Sequence, residues 1–73
     1  MKVRDVIKLV KSDGWYYVET KGDHRQYEHP IKKGKVTIAG HPSDEMKPRT
    51  LHSVVVEQAQ IDRKQLQTKG KKR

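Results

Sequence analysis

Along residues 2–12 the apolar side chains Val3, Val6, Ile7 and Val10 fall three and four apart, with Lys2, Arg4, Lys8 and Lys11 mostly off that stripe. This spacing is one face of a helix. Asp13-Gly14 closes it, since glycine suits a left-handed C-terminal cap. The period then shortens. Residues 15–20, WYYVET, are aromatic and β-branched and read as a strand, followed by a turn at Lys21, Gly22 and Asp23. Residues 24–29, HRQYEH, form a second strand that Pro30 ends; Tyr27 faces the core, and His24, Gln26 and Glu28 share the opposite face. After a turn at Lys32-Lys33-Gly34, residues 35–39, KVTIA, alternate as a third strand with Val36 and Ile38 on one side. Two short turns joining three strands imply an antiparallel meander.

Residues 40–50 are a polar loop with Gly40, Pro42 and Pro48. Leu51, Val54, Val55 and Ala59 make the stripe of a second helix from 51 to about 60, with Thr50 as its cap. The three valines at 54–56 would also suit a strand, but the stripe and the helix formers at 57–60 favour a helix. Asp62 and Gln65 resemble a capping box for one extra turn, with Leu66 packing back. Residues 67–73 carry four Lys or Arg and nothing apolar, and read as a disordered basic tail. Residues 1–66 thus form one α+β domain of order αβββα. Its two helices cover one face of a three-stranded antiparallel sheet, leaving the other face and the strand ends open to a ligand.

Composition adds a partner to this picture. Seventeen Lys and Arg against nine Asp and Glu give a 73-residue domain a net charge of +8, which attracts polyanions and points to nucleic acid. Cysteine is absent, which excludes disulfides and thiolate metal sites and fits a reducing, cytoplasmic compartment. No apolar run approaches the ~20 residues that span a membrane, and the N-terminal segment lacks a signal-peptide core.

His24 is the main candidate for chemistry. It stands at the start of the second strand, just past the Gly22 turn, with Lys21 and Arg25 adjacent in sequence. Histidine is the side chain best matched to proton transfer near neutral pH. Beside an RNA phosphate it would take the proton from a ribose 2′-hydroxyl, which then attacks phosphorus while a cation stabilises the developing charge. The RNA supplies the nucleophile, so neither cysteine nor metal nor cofactor is needed. Position and spacing alone favour a surface histidine with no task. His41, in a Gly-His-Pro turn, is a candidate second functional imidazole; His29, before Pro30, is structural or phosphate-contacting; His52 is plain surface. The histidine spacing is irregular and no cysteine accompanies it, which argues against zinc. No paired carboxylates, glycine-rich phosphate loop or serine nucleophile motif is present. The residues by themselves reach a small basic RNA-binding domain and stop short of catalysis.

A resemblance extends the reading. The segments VIKLVKSDGWYYV, TKGDHRQYEHP, VTIAGHP and MKPRTLHSVVVEQAQI follow, in order and spacing, the pattern of the HicA family of bacterial toxins, from residue 3 to about 66. The resemblance implies a fold similar to the double-stranded RNA-binding domain and an endoribonuclease that cuts messenger RNA to halt translation. It implies His24 as the catalytic base, and a HicB-like antitoxin as the partner that covers the toxin. Lys21, Arg25, Gln26 and His41 are then the expected RNA contacts. The chain departs from the family pattern at three positions. Asp23 replaces the usual serine and could either orient the imidazole or repel phosphate. Arg49 and Gln60 replace glycines at the ends of the second helix, away from the expected site. A non-catalytic RNA-binding module, or a small ribosome-associated protein, explains charge and fold without giving His24 work.

Overall fold

The computed structural model describes residues 1–62. Residues 63–66 of the expected extra turn and the basic tail at 67–73 lie outside the described residues. Helix α1, Val3–Ser12, is followed by strands β1, Tyr16–Lys21, β2, His24–Glu28, and β3, Val36–Ala39. A short helix α2, Pro48–His52, runs directly into a π-helical segment, Ser53–Gln58. The strands form an open antiparallel sheet in the order β1-β2-β3. The fold is α+β, similar to the double-stranded RNA-binding domain.

Helix α1 buries its stripe as the spacing predicts: Val3, Val6 and Val10 lie in the core and Ile7 packs at its margin. Its orphan N–H groups are met by the loop before α2, since Val3 donates to the Asp44 carbonyl at 2.8 Å and Arg4 to the Pro42 carbonyl at 3.0 Å. The last turn closes as a Schellman motif. Gly14 donates to Lys11 at 3.0 Å and Trp15 to Val10 at 3.1 Å, with Gly14 at φ +107°. Trp15 therefore precedes β1 instead of starting it. Its ring is buried, and Nε1 donates to the Ala59 carbonyl at 3.2 Å.

Tyr27, Val36 and Ile38 point into the core against the valines of α1 and of the π segment. Strand β1 stays exposed along its whole length in spite of its aromatic composition. It is a sheet edge, and a bulge at Val18 breaks its register between Tyr17 and Glu19, a common way of blunting an edge strand.

The second helix differs from expectation in start and winding. Pro48 takes the first turn, a position where its missing N–H costs nothing, so Thr50 lies inside the helix and does not cap it. From Ser53 the chain widens to π geometry, with Ala59 donating to the Val54 carbonyl at 2.9 Å. Residues five apart then share a face, whereas in an α-helix they would be about 140° apart. Val54 and Ala59 both reach the core. The helix ends on Gln60, a non-glycine residue at φ +56°. Its strained backbone is held by Gln60 Nε2 donating to the Lys33 carbonyl at 2.8 Å.

Candidate active site

Gly22 and Asp23 make a two-residue turn between β1 and β2, with Gly22 at φ +63° as hairpin geometry requires of its first residue. The turn sets Lys21 opposite His24. His24 projects from the open sheet face, its side chain 57% exposed, and its Nδ1 lies 3.1 Å from Asp23 Oδ1. Lys21 shares that face, its Nζ 3.8 Å from Glu19 Oε2. Gln26 is two residues along the same face and half-buried.

Arg25 goes elsewhere. Strand alternation turns it to the core side, opposite Ile38, where Nη1 donates to the Gly40 carbonyl at 2.8 Å. It fixes the start of the loop beyond β3 and does not stand beside the imidazole. His41 follows in that loop, exposed. Its N–H donates to Asp44 Oδ2 at 3.1 Å, and Asp44 N–H returns to the His41 carbonyl at 2.9 Å.

The two remaining histidines have other surroundings. His29 is structural: Nδ1 accepts from the N–H groups of Ile31 and Lys32, both at 3.0 Å, so Nε2 carries the proton and donates to the Asp13 carbonyl at 2.7 Å. The Trp15 ring meets it edge-on at 5.1 Å. Lys32 completes this junction, with Nζ on Asp13 Oδ2 and on the carbonyls of Ala59 and Gln60 at the helix end. His52 is exposed, its Nδ1 3.9 Å from Glu57 Oε2. Among the described residues no cluster of three His, Cys, Asp or Glu could hold a metal.

A groove of about 530 Å³ opens from His24 along the free edge of β3 to α2 and the π segment. Lys47, Arg49, Thr50, Ser53 and Gln58 line it with His24. Sequence reasoning missed this wall. Arg49, expected to lie away from the site, borders the same groove as His24, because the loop strapped to α1 carries the start of α2 across the end of β3. The π winding matters here as well. Ser53 and Gln58 are five apart and face the groove together, while Val54, which also borders the groove, and Ala59 are buried in the core. Gln58 Oε1 accepts the Thr37 N–H at 2.9 Å, which covers part of the exposed β3 edge.

A family model, HicA toxin of bacterial toxin–antitoxin, matches residues 3–61. The chain belongs to the HicA toxin family. A comparison with curated proteins found no match. The match spans every element described above, from the first residue of α1 to Ile61, past the Gln60 bend. Membership of the HicA family makes this chain the toxin of a toxin–antitoxin system and implies a cognate antitoxin as its partner. No helix of the described residues is long and apolar enough to cross a membrane.

Proposed function

We propose that this HicA toxin is an endoribonuclease that cuts messenger RNA, with His24 as general base and no metal in the reaction. The observation that carries the reading is the His24 imidazole at the mouth of a groove, its Nδ1 beside the Asp23 carboxylate at 3.1 Å. A carboxylate at that nitrogen favours the tautomer whose other nitrogen, Nε2, is free to accept a proton. Nε2 then removes the 2′-hydroxyl proton. The oxygen attacks the adjacent phosphorus, the bond to the 5′-oxygen breaks and that oxygen takes a proton from water, leaving a 2′,3′-cyclic phosphate and a 5′-hydroxyl, and His24 returns its proton to solvent. In this reading Asp23 has the orienting role, supported by its contact with His24 Nδ1. Lys21 and Gln26, on the His24 face, contact the RNA backbone, and His41 flanks it. Arg25 supports them by holding Gly40.

The cognate antitoxin is HicB-like in this reading. An acidic surface on it covers the basic rim around Lys21 and His24 by charge complementarity, and the toxin acts in the cytoplasm once freed. Induction of the wild type should arrest growth and degrade messenger RNA, and co-expressed antitoxin should restore both. His24→Ala should be harmless while keeping its circular dichroism and melting temperature. A folded His24→Ala form that still arrests growth would remove the histidine from the mechanism.

A further inference from the structure

We propose that Lys47 and Arg49 form the phosphate-holding wall of the groove, facing His24 across the bound RNA backbone. The proposal rests on the reading of His24 given above.

Lys32 is committed to Asp13 and two carbonyls, Arg25 to the Gly40 carbonyl, Lys2 to the Ser43 carbonyl, and Lys21 lies near Glu19. The side chains of Lys47 and Arg49 have no ion pair or hydrogen bond among the described residues, are exposed, and border the groove. Cations already engaged within the protein meet phosphate with part of their charge and reach committed there. These two carry no such commitment.

Two acids lie on the same groove. Asp44 accepts the His41 N–H, and Glu45 holds the Met1 ammonium at 2.8 Å. The ammonium hydrogen bond, with its charge, keeps the Glu45 carboxyl below its ordinary range. The Met1 ammonium thus offsets the charge of Glu45, and against the one remaining carboxylate, Asp44, the groove sets two cations, Lys47 and Arg49.

Gln58 spends its carbonyl oxygen on Thr37, which leaves its amide N–H₂ as a donor toward the groove. Thr50 and Ser53 add hydroxyls on the same wall. Two free cations with three neutral donors suit a phosphodiester better than an apolar or cationic ligand. Arg49 can present two parallel N–H groups to the non-bridging oxygens, as lysine cannot.

The test uses a fluorescein-labelled single-stranded oligoribonucleotide and the full chain. Binding is measured by anisotropy in a His24→Ala background across a salt series, and cleavage in the His24 form at saturating RNA. Lys47→Ala with Arg49→Ala should weaken binding at low salt by roughly tenfold or more. It should also reduce the slope of log affinity against log salt by about 1.4, two phosphate contacts at ~0.7 each. Cleavage should fall at least tenfold, and Lys47→Ala with Arg49→Lys should recover part of both losses. Lys8→Ala with Lys11→Ala removes the same charge from the exposed face of α1 and should leave cleavage within about twofold. If the Lys47/Arg49 pair behaves like the Lys8/Lys11 pair in both assays, the proposal is overturned. Cleavage that needs His24 but not Lys47 or Arg49 would refute the groove and spare the nuclease reading. Binding that depends on Lys47 and Arg49 in a chain that never cuts RNA would uphold the groove and refute the nuclease reading.

Discussion

Gly14→Ala should be among the most damaging single-atom additions in this protein. At φ +107° an L-residue is strained by about 1–2 kcal/mol. A Cβ at position 14 would also stand 2.7 Å from His29 Nε2. The ring cannot swing aside cheaply, because three hydrogen bonds of 2.7, 3.0 and 3.0 Å fix both of its nitrogens. Losing the Asp13 bond alone costs ~1 kcal/mol, and losing the pair at Nδ1 costs about as much again. The total is roughly 2–4 kcal/mol, a large share of the stability of so small a domain. Thermal melting followed by circular dichroism should fall by about 10–30 °C, at ~4–8 °C per kcal/mol. A double-mutant cycle with His29→Ala separates the two causes. In the absence of the ring the added methyl should cost only the backbone part, giving a coupling of about 1–2 kcal/mol. A Gly14→Ala protein within ~0.5 kcal/mol of wild type, or an equal cost in both backgrounds, would refute the reasoning.

Three further outcomes are expected. Gln60→Gly relieves about 1 kcal/mol of left-handed strain and loses one exposed hydrogen bond to Lys33, so melting should rise by a few degrees; a drop would show that the bond outweighs the strain. Burial raises the Tyr27 hydroxyl above its ordinary value of 10.0, with the Arg25 guanidinium partly offsetting it. The unfolded chain therefore loses this proton first, and stability present below about pH 10 falls as pH rises toward the folded value. Urea midpoints of Tyr27→Phe should decline less over that range than those of wild type, and parallel curves would contradict the assignment. Asp23→Ala should slow cleavage roughly tenfold or more without weakening RNA binding; an unchanged rate would remove Asp23 from the mechanism.

Local periodicity made much of the architecture legible. The Val3, Val6 and Val10 stripe, the meander, and the core-facing Tyr27, Val36 and Ile38 all follow from patterns within a few residues of each other. The start of α2 was also readable, since Pro48 is a better first-turn signal than Thr50 is a cap. The π winding was not, because α-helical spacing accounts equally well for Leu51, Val54, Val55 and Ala59. The five-apart hydrogen bonding of Ser53–Gln58, with Ala59 donating to Val54, reveals the wider turn. At the site, the Gly22 turn placed His24 on the open face. Alternation should also have sent Arg25 to the other side, where it binds Gly40. Lys47 and Arg49 could not be joined to His24 from sequence, because their proximity depends on a loop held by α1 and Arg25 far along the chain.

The chemistry of the cut RNA ends discriminates most sharply between metal-free cleavage by His24 and any other route. Purified wild type and His24→Ala are incubated with an end-labelled single-stranded RNA, with and without chelator, and the product termini are identified by mass spectrometry. Attack by the 2′-hydroxyl with His24 as base gives 2′,3′-cyclic or 3′-phosphate ends paired with 5′-hydroxyl ends, no effect of chelator, and a rate roughly 10²–10⁴-fold lower in a folded His24→Ala protein. Products with 5′-phosphate ends, cutting that stops with chelator and returns with magnesium, or a His24→Ala form as fast as wild type would contradict it.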